Sequence, residues 1–147
     1  NDGFSPNSTI LTYVAGLDPA ASNLPSRTDV AASLEPDSPV VMVDASTGER
    51  IPLWAELDAK AASDEDRLLV IQPAVVLGEG HRYVVALRNL VTAAGPAEPS
   101  DVFRAYRDRR RTDDANVEAR RPAMERVFTD LAQARVARLC VAESLTA

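Results

Sequence analysis

The sequence predicts a mainly β fold, a small β-sandwich followed by a C-terminal amphipathic α-helix. Short stretches rich in β-branched residues recur through the first two-thirds of the chain, and Gly-, Pro- and Asp-containing turns separate them. The stretch 40–57, VVMVDASTGERIPLWAEL, is typical of two strands joined by a tight turn. In the last third, the apolar spacing changes to that of a helix. We therefore expect a β domain (1–108), a basic linker with an amphipathic helix (109–137) and a truncated tail (138–147).

Composition narrows the classes of function. The 147 residues are 46% hydrophobic, which is enough to build a core for one domain and a small appendage. A formal net charge of −6 argues against nucleic acid as the main partner, because phosphate binding needs a cationic surface. No apolar run approaches the roughly 20 residues of a membrane span. The chain has one cysteine, so an internal disulfide is excluded.

The predicted central hairpin, 40–57, is defined by its turn and by its return strand. Gly48 suits a turn position with positive φ, and the Asp44 carboxylate suits hydrogen bonds to turn amides. Pro52 lacks an N–H, so the return strand is expected at a sheet edge or with Pro52 outside the ladder. The return strand alternates, which places these residues on one face: Ile51, Leu53, Ala55 and Leu57.

Further strands are predicted on both sides of this hairpin. They cover 9–14, 68–71, 81–87 and, as a last short strand, 103–106. In the strand 81–87, alternation places Tyr83, Val85 and Leu87 on one face. Between the first strand and the hairpin we expect a loop, with Thr28 or Asp29 capping a helical turn through Leu34.

The amphipathic helix is predicted at 122–134. Met124, Val127, Phe128 and Leu131 follow the i, i+3, i+4, i+7 spacing of one helical face. Pro122 suits the first helical turn, and residues 112–114 offer caps for a weaker preceding helix. The simplest interpretation of this face is a packing stripe, and its functional interpretation is packing against a following domain.

Catalytic, metal and cofactor motifs are weak. The chain has no G-x-S-x-G, and its one histidine, His81, follows Gly80 at a strand start, which favours a structural role. A stand-alone hydrolase that uses His81 with an unidentified serine or acid is kept as an alternative. One histidine and one cysteine do not make a zinc site, and the aspartate spacing matches no EF-hand. Gly78-x-Gly80 is typical of a turn and not of a phosphate-binding loop. Since none of these motifs is present, we expect no metal and no cofactor.

Two further features have competing interpretations. Trp54 is the candidate binding residue, because a tryptophan exposed near a sheet edge suits a docking surface, but packing in the core or under a loop is favoured. The basic cluster of Arg107, Arg109, Arg110 and Arg111 is interrupted by acids, which favours a solvated linker.

Several stretches together resemble a known family. NDGFSP and ILTYV near the start, DASTGER followed by WAELD, EGHRYVVALRNL and RAYRD are similar to the N-terminal region of secreted bacterial lipase- or esterase-like proteins. The resemblance implies an Ig-like β region placed before an α/β-hydrolase domain, which would be its partner. It also implies a secreted or cell-envelope location. In that family the nucleophile lies downstream, so no catalytic residue is carried onto this chain.

These observations lead to one main hypothesis and two alternatives. The main one is a non-catalytic Ig-like accessory domain that supports or positions a downstream catalytic domain. The alternatives are the small hydrolase using His81 and a surface adhesion module that binds through Trp54 and a sheet edge.

Overall fold

The described residues form a four-stranded sheet, a three-stranded sheet and a short two-stranded pair, all antiparallel, together with two helices. A computed structural model describes residues 5–6, 8–138 and 141–146, without the side chains of residue 65 and of 142–146. The strands are β1 (Ile10–Thr12), β2 (Val40–Asp44), β3 (Arg50–Ile51), β4 (Leu53–Leu57), β5 (Leu69–Pro73), β6 (Tyr83–Arg88), β7 (Val91–Thr92), β8 (Gly95–Pro96) and β9 (Val141–Thr146). The helices are α1 (Asp101–Arg107) and α2 (Ala115–Gln133), and two 3₁₀ turns lie at Val30–Leu34 and Asp64–Asp66. A β-rich fold with a C-terminal helix is therefore confirmed.

The larger sheet is buried on both faces. Its order is β3-β2-β6-β9, and every residue of β2 and β6 is buried. On one face, Val40, Met42, Val85 and Leu87 share a core with the smaller sheet, whose order is β1-β5-β4. We call this the intersheet core. On the other face, Val41, Val43, Val84 and Ala86 pack with the helices in a helix-side core. Burial on both sides explains why these strands are continuous apolar runs.

The predicted hairpin divides between the two sheets. β3 pairs with β2 over two residues, Ile51 opposite Met42 and Arg50 opposite Val43. After Pro52, the chain enters the other sheet as β4, which pairs with β5. The prediction of one continuous return strand is therefore wrong. Pro52 lies outside both ladders, as expected for a residue without an N–H. The predicted face of the return strand is confirmed, because all four of its residues lie at the intersheet core.

The edge strand β4 is covered by the preceding loop. Ala55 N donates to Pro25 O at 2.8 Å, and Leu53 N donates to the buried Ser33 Oγ at 3.1 Å. Asp29 caps the 3₁₀ turn that carries Ser33, and its side chain accepts from Ala32 N, as predicted. These bonds satisfy N–H groups that an open sheet edge would leave unpaired.

The predicted strand at 103–106 is a helix, α1. The Ser100 side chain caps it by accepting from Phe103 N, and Asp101 adds an acidic residue to the first turn. Phe103 and Tyr106 are both buried, three residues apart on one helical face. The prediction of a strand is wrong, because the local cap and burial at i and i+3 favour a helix.

Helix α2 is longer than predicted and packs on its own sheet. Asp114 caps it by accepting from Asn116 N and Val117 N, so it begins well before Pro122, which lies inside the helix. Placing Pro122 in the first turn was wrong. Val127, Phe128 and Leu131 are buried in the helix-side core. The amphipathic face is confirmed. It packs against the larger sheet of this chain, so no following domain is needed to bury it.

The predicted tail contains the last strand of the larger sheet. β9 runs antiparallel to β6, with Val141 opposite Arg88 and Thr146 opposite Val84. Val141 is fully buried in the helix-side core. The prediction of a truncated tail at 138–147 did not include this strand, because its partner lies more than 50 residues earlier in the chain.

Candidate functional site

Trp54 lies on the outer face of the smaller sheet. In β4, Leu53 and Ala55 are buried in the intersheet core, so Trp54 between them points away from that core. Trp54 lies opposite Gln72 of β5. In the next row of the same face, Val70 of β5 lies between Leu11 of β1 and Glu56 of β4. Leu11 is 55% exposed. The outer face therefore has apolar and polar side chains side by side, with Trp54 half-buried among them.

A loop arginine covers the Trp54 ring. The Arg27 guanidinium carbon is 5.3 Å from the ring centroid, within the range of a cation–π contact. Arg27 also forms an ion pair with Glu56, at 2.8 Å between Nη2 and Oε1. Trp54 Nε1 is buried without a hydrogen-bond partner. This is the arrangement expected for packing under a loop. The exposed Leu11 on the same face means that a docking role for Trp54 also stays a candidate.

Two grooves adjoin the end of β1. The larger, of about 440 Å³, is lined among others by Val14, Leu90 and Phe103, with Ser100 and Thr92 as polar groups. The second, of about 370 Å³, shares Tyr13 and Val14 with the first. The mostly apolar lining of the larger groove suits an apolar group. The second groove is also lined by Asp18, Asp64 and Arg67, and Arg67 pairs with Asp64 at 3.5 Å.

His81 pairs with Asp44 at one end of the larger sheet. His81 Nδ1 is 2.6 Å from Asp44 Oδ2, and the side chain of His81 is 41% exposed, whereas that of Asp44 is 8% exposed. Ser46 N donates to Asp44 Oδ1 at 2.7 Å, so the same carboxylate holds the turn, as predicted. Gly48 in this turn has φ of 75°, also as predicted. The pair therefore joins the β2–β3 turn to the start of β6.

Hydrogen bonding lowers the pKa of Asp44. Burial acts to raise the pKa of this carboxyl, but the hydrogen bonds from His81 and from Ser46 N outweigh burial and leave the pKa below its usual value. A carboxylate with a lowered folded-state pKa stabilises the fold above its unfolded pKa.

Asp44→Asn is expected to cost about 1–2 kcal/mol of unfolding free energy at pH 7, because two hydrogen bonds to a charged acceptor are weakened. The difference from the native chain should shrink as the pH falls below about 4 and the native carboxyl itself becomes protonated. Urea unfolding across pH 3–7 measures it. Asp37→Asn, at an exposed position, is the control and should change little. A difference independent of pH would contradict the assignment.

A carboxylate that orients a histidine is two-thirds of a hydrolytic triad. Among the described residues, no hydroxyl or thiol forms a hydrogen bond with His81. Ser46, the serine of the adjoining turn, bonds to Asp44 instead. The ring of His81 stacks on Tyr83 at 6.2 Å between centroids. The contacts of His81 and Asp44 therefore stabilise the β2–β3 turn against the start of β6.

The order of the predicted strands carries a signal for this pair. Asp44 ends β2 and His81 precedes β6, and both strands were predicted. Antiparallel pairing places the end of one strand beside the start of the other, and Asp44 lies opposite Tyr83 in the register. Recognising that β2 and β6 are neighbours was the missing step.

The basic cluster is largely paired with acids. Arg107 and Arg110 contact Asp108, at 2.7 and 3.8 Å, and Arg111 contacts Glu118 at 2.7 Å. Glu118 also binds Arg121, and the hydrogen bond from Arg121 is the main cause of a strongly lowered pKa at Glu118. These pairs hold the α1–α2 connection and leave less free positive charge than the sequence suggested.

Metal and membrane sites are not supported by the described part of the chain. No three His, Cys, Asp or Glu side chains there come together in a way that would hold a metal ion. Cys140 lies outside the described residues. No described helix has both the length and the apolar character of a membrane span. Comparison of the sequence with protein-family models and with curated proteins gives no match.

Proposed function

We propose that this chain is a non-catalytic, Ig-like accessory domain of a secreted bacterial hydrolase-like protein. In this proposal it supports or positions a downstream α/β-hydrolase domain. The family named in this proposal comes from the sequence resemblance described above. Its turn DASTGER and its strand RYVVAL fall on the β2–β3 connection and on β6, at the centre of the larger sheet. The part of the resemblance on residues 1–4 lies outside the described residues.

The observation that carries the proposal is the engagement of the only histidine in the sequence. His81 is bound through Nδ1 to Asp44, and that carboxylate also accepts from Ser46 N in the turn. The hydrogen bond between His81 and Asp44, which a hydrolase would need for catalysis, therefore joins a turn to a strand here. A structural role for His81 agrees with a catalytic centre elsewhere in the parent protein.

The outer face of the smaller sheet favours a second candidate, a surface adhesion module. Trp54 is half-buried there and Leu11 is 55% exposed, so an aromatic ring and an aliphatic side chain reach solvent on one sheet. In this interpretation, displacement of Arg27 from the ring would open Trp54 to a partner.

A single purified preparation separates these functions. The chain is expected to hydrolyse p-nitrophenyl butyrate at the rate of buffer alone, with His81→Ala and Ser46→Ala giving the same rate as the native chain. Hydrolysis well above buffer that His81→Ala abolishes would overturn the accessory-domain proposal in favour of the small hydrolase. In the same preparation, a change in Trp54 fluorescence on adding purified cell-wall polysaccharide would favour the adhesion module.

The parent gene supplies an independent check. Sequencing on both sides of this segment is expected to find a signal peptide upstream and a G-x-S-x-G after a predicted strand downstream. A gene without a hydrolase domain would contradict the proposed partner.

A further inference from the structure

Two arginines from different strands hold the same loop. Arg50, in β3, donates from Nη1 to Glu35 O at 2.7 Å. Arg88, at the end of β6, donates from Nε to Ser38 O at 2.7 Å and from Nη2 to Pro36 O. The carbonyls of residues 35–38 are close together along the chain, so they bring the two guanidinium groups to one place. We call Arg50 and Arg88 the arginine pair.

The arginine pair lacks a counter-charge among the described residues. Arg88 is only 6% exposed, and neither guanidinium lies within ion-pair distance of a described carboxylate. The acids of the same loop, Glu35 and Asp37, are exposed and do not pair with either arginine. The other buried arginine among the described residues, Arg121, is paired with Glu118. A buried charge whose partners are neutral carbonyls is costly, so an anion there would stabilise the fold.

The electrostatic surroundings of Arg50 agree with this. Burial lowers the pKa of Arg50, and the positive charge of Arg88 lowers it further. Arg50 Nη2 also donates to Ala134 O, at 3.4 Å, where the C-terminal end of α2 offers partial negative charge. This carbonyl offsets part of the repulsion between the two cations, but no full negative charge faces them from the described elements.

Donor groups remain for a ligand. Arg88 Nη1 and Arg50 Nε have no hydrogen-bond partner in the described part of the chain, and neither belongs to its fully buried unpartnered atoms, Trp54 Nε1 and Arg104 Nε. A planar guanidinium fork matches the oxygens of phosphate and carboxylate groups. We propose that Arg50 and Arg88 form a binding site for a small oxyanion of the phosphate type, beside the loop of residues 35–38.

Thermal unfolding in inorganic phosphate tests the site. At fixed ionic strength, replacing chloride by phosphate at ten times its dissociation constant is expected to raise the Tm of the native chain by about 4 °C. Arg50→Met, which removes the more exposed partner, should lose this rise. Arg126→Met, at an exposed cation of α2, should keep it. An equal rise in the native chain and in Arg50→Met, or no rise in either, would overturn the proposal.

Two additions complete the test. If Arg50→Met unfolds, Arg50→Lys keeps the charge without the fork and should bind phosphate at least tenfold more weakly. Glycerol 3-phosphate distinguishes a free anion from a phosphate carried on a larger molecule. Stabilisation by both ligands supports a site open to a carried phosphate, whereas stabilisation by inorganic phosphate alone supports a closed site for the free anion.

Discussion

Replacing Leu131 by alanine is expected to lower the free energy of unfolding by about 3 kcal/mol, because it opens a cavity where the helix meets the sheet. Leu131 is fully buried in the helix-side core, together with Val41, Val84 and Phe128. Truncation leaves these neighbours without their packing partner, and a close-packed interior relaxes only in part. Urea unfolding followed by circular dichroism measures the loss.

The matched control for Leu131 lies on the opposite face of the same helix. Arg126 is exposed, and Arg126→Ala should change the stability by no more than about 0.5 kcal/mol, as is usual for surface positions. If Leu131→Ala cost under 1 kcal/mol, α2 would not be part of the core. The alternative interpretation, a helix that packs against a following domain, would then gain support.

Removing the last strand is expected to have a larger effect. A chain that ends at residue 140 loses β9, which pairs along β6, and it loses the fully buried Val141. β6 would then become an edge strand whose residues are all apolar or buried, a surface prone to aggregation. The loss should exceed the roughly 5–15 kcal/mol that holds an ordinary domain together, so we expect no cooperative unfolding transition.

A chain that ends at Thr146 keeps the whole strand and is the control for this truncation. It should unfold cooperatively, with a midpoint close to that of the native chain. Limited proteolysis provides a second measurement, since the shorter chain should be cut rapidly in β6. A shorter chain with an unchanged unfolding transition would show that β9 is dispensable, and that residues 138–147 are a tail in the sense first predicted.

Local patterns in the sequence were sufficient for much of the secondary structure. Alternation in 81–87 placed Tyr83, Val85 and Leu87 on one face, and all three lie in the intersheet core. The turn residues Asp44 and Gly48 behave as their chemistry predicts. These features depend on contacts within a few residues, and backbone sterics and short-range hydrogen bonds are encoded at that range.

Other local signals were present but were outweighed. The aromatic content of 103–106 indicated a strand, yet the Ser100 cap and burial three residues apart produce a helix. Pro122 indicated a helix start, yet Asp114 caps α2 earlier, and packing of its apolar face tolerates the missing N–H. In both cases a cap and a buried face together prevailed over propensity.

Most apolar faces and turns can be located from local patterns in the sequence. The tertiary structure sets what each face meets: β4 crosses to the second sheet, α2 covers the first sheet, and β9 closes its edge. It likewise decided the pairing of His81 with Asp44 and the meeting of Arg50 and Arg88 at one loop. These partners lie more than 30 residues apart in the chain. A periodic pattern states that a face must be buried, but not which distant surface will bury it, because that choice minimises the free energy of the whole chain.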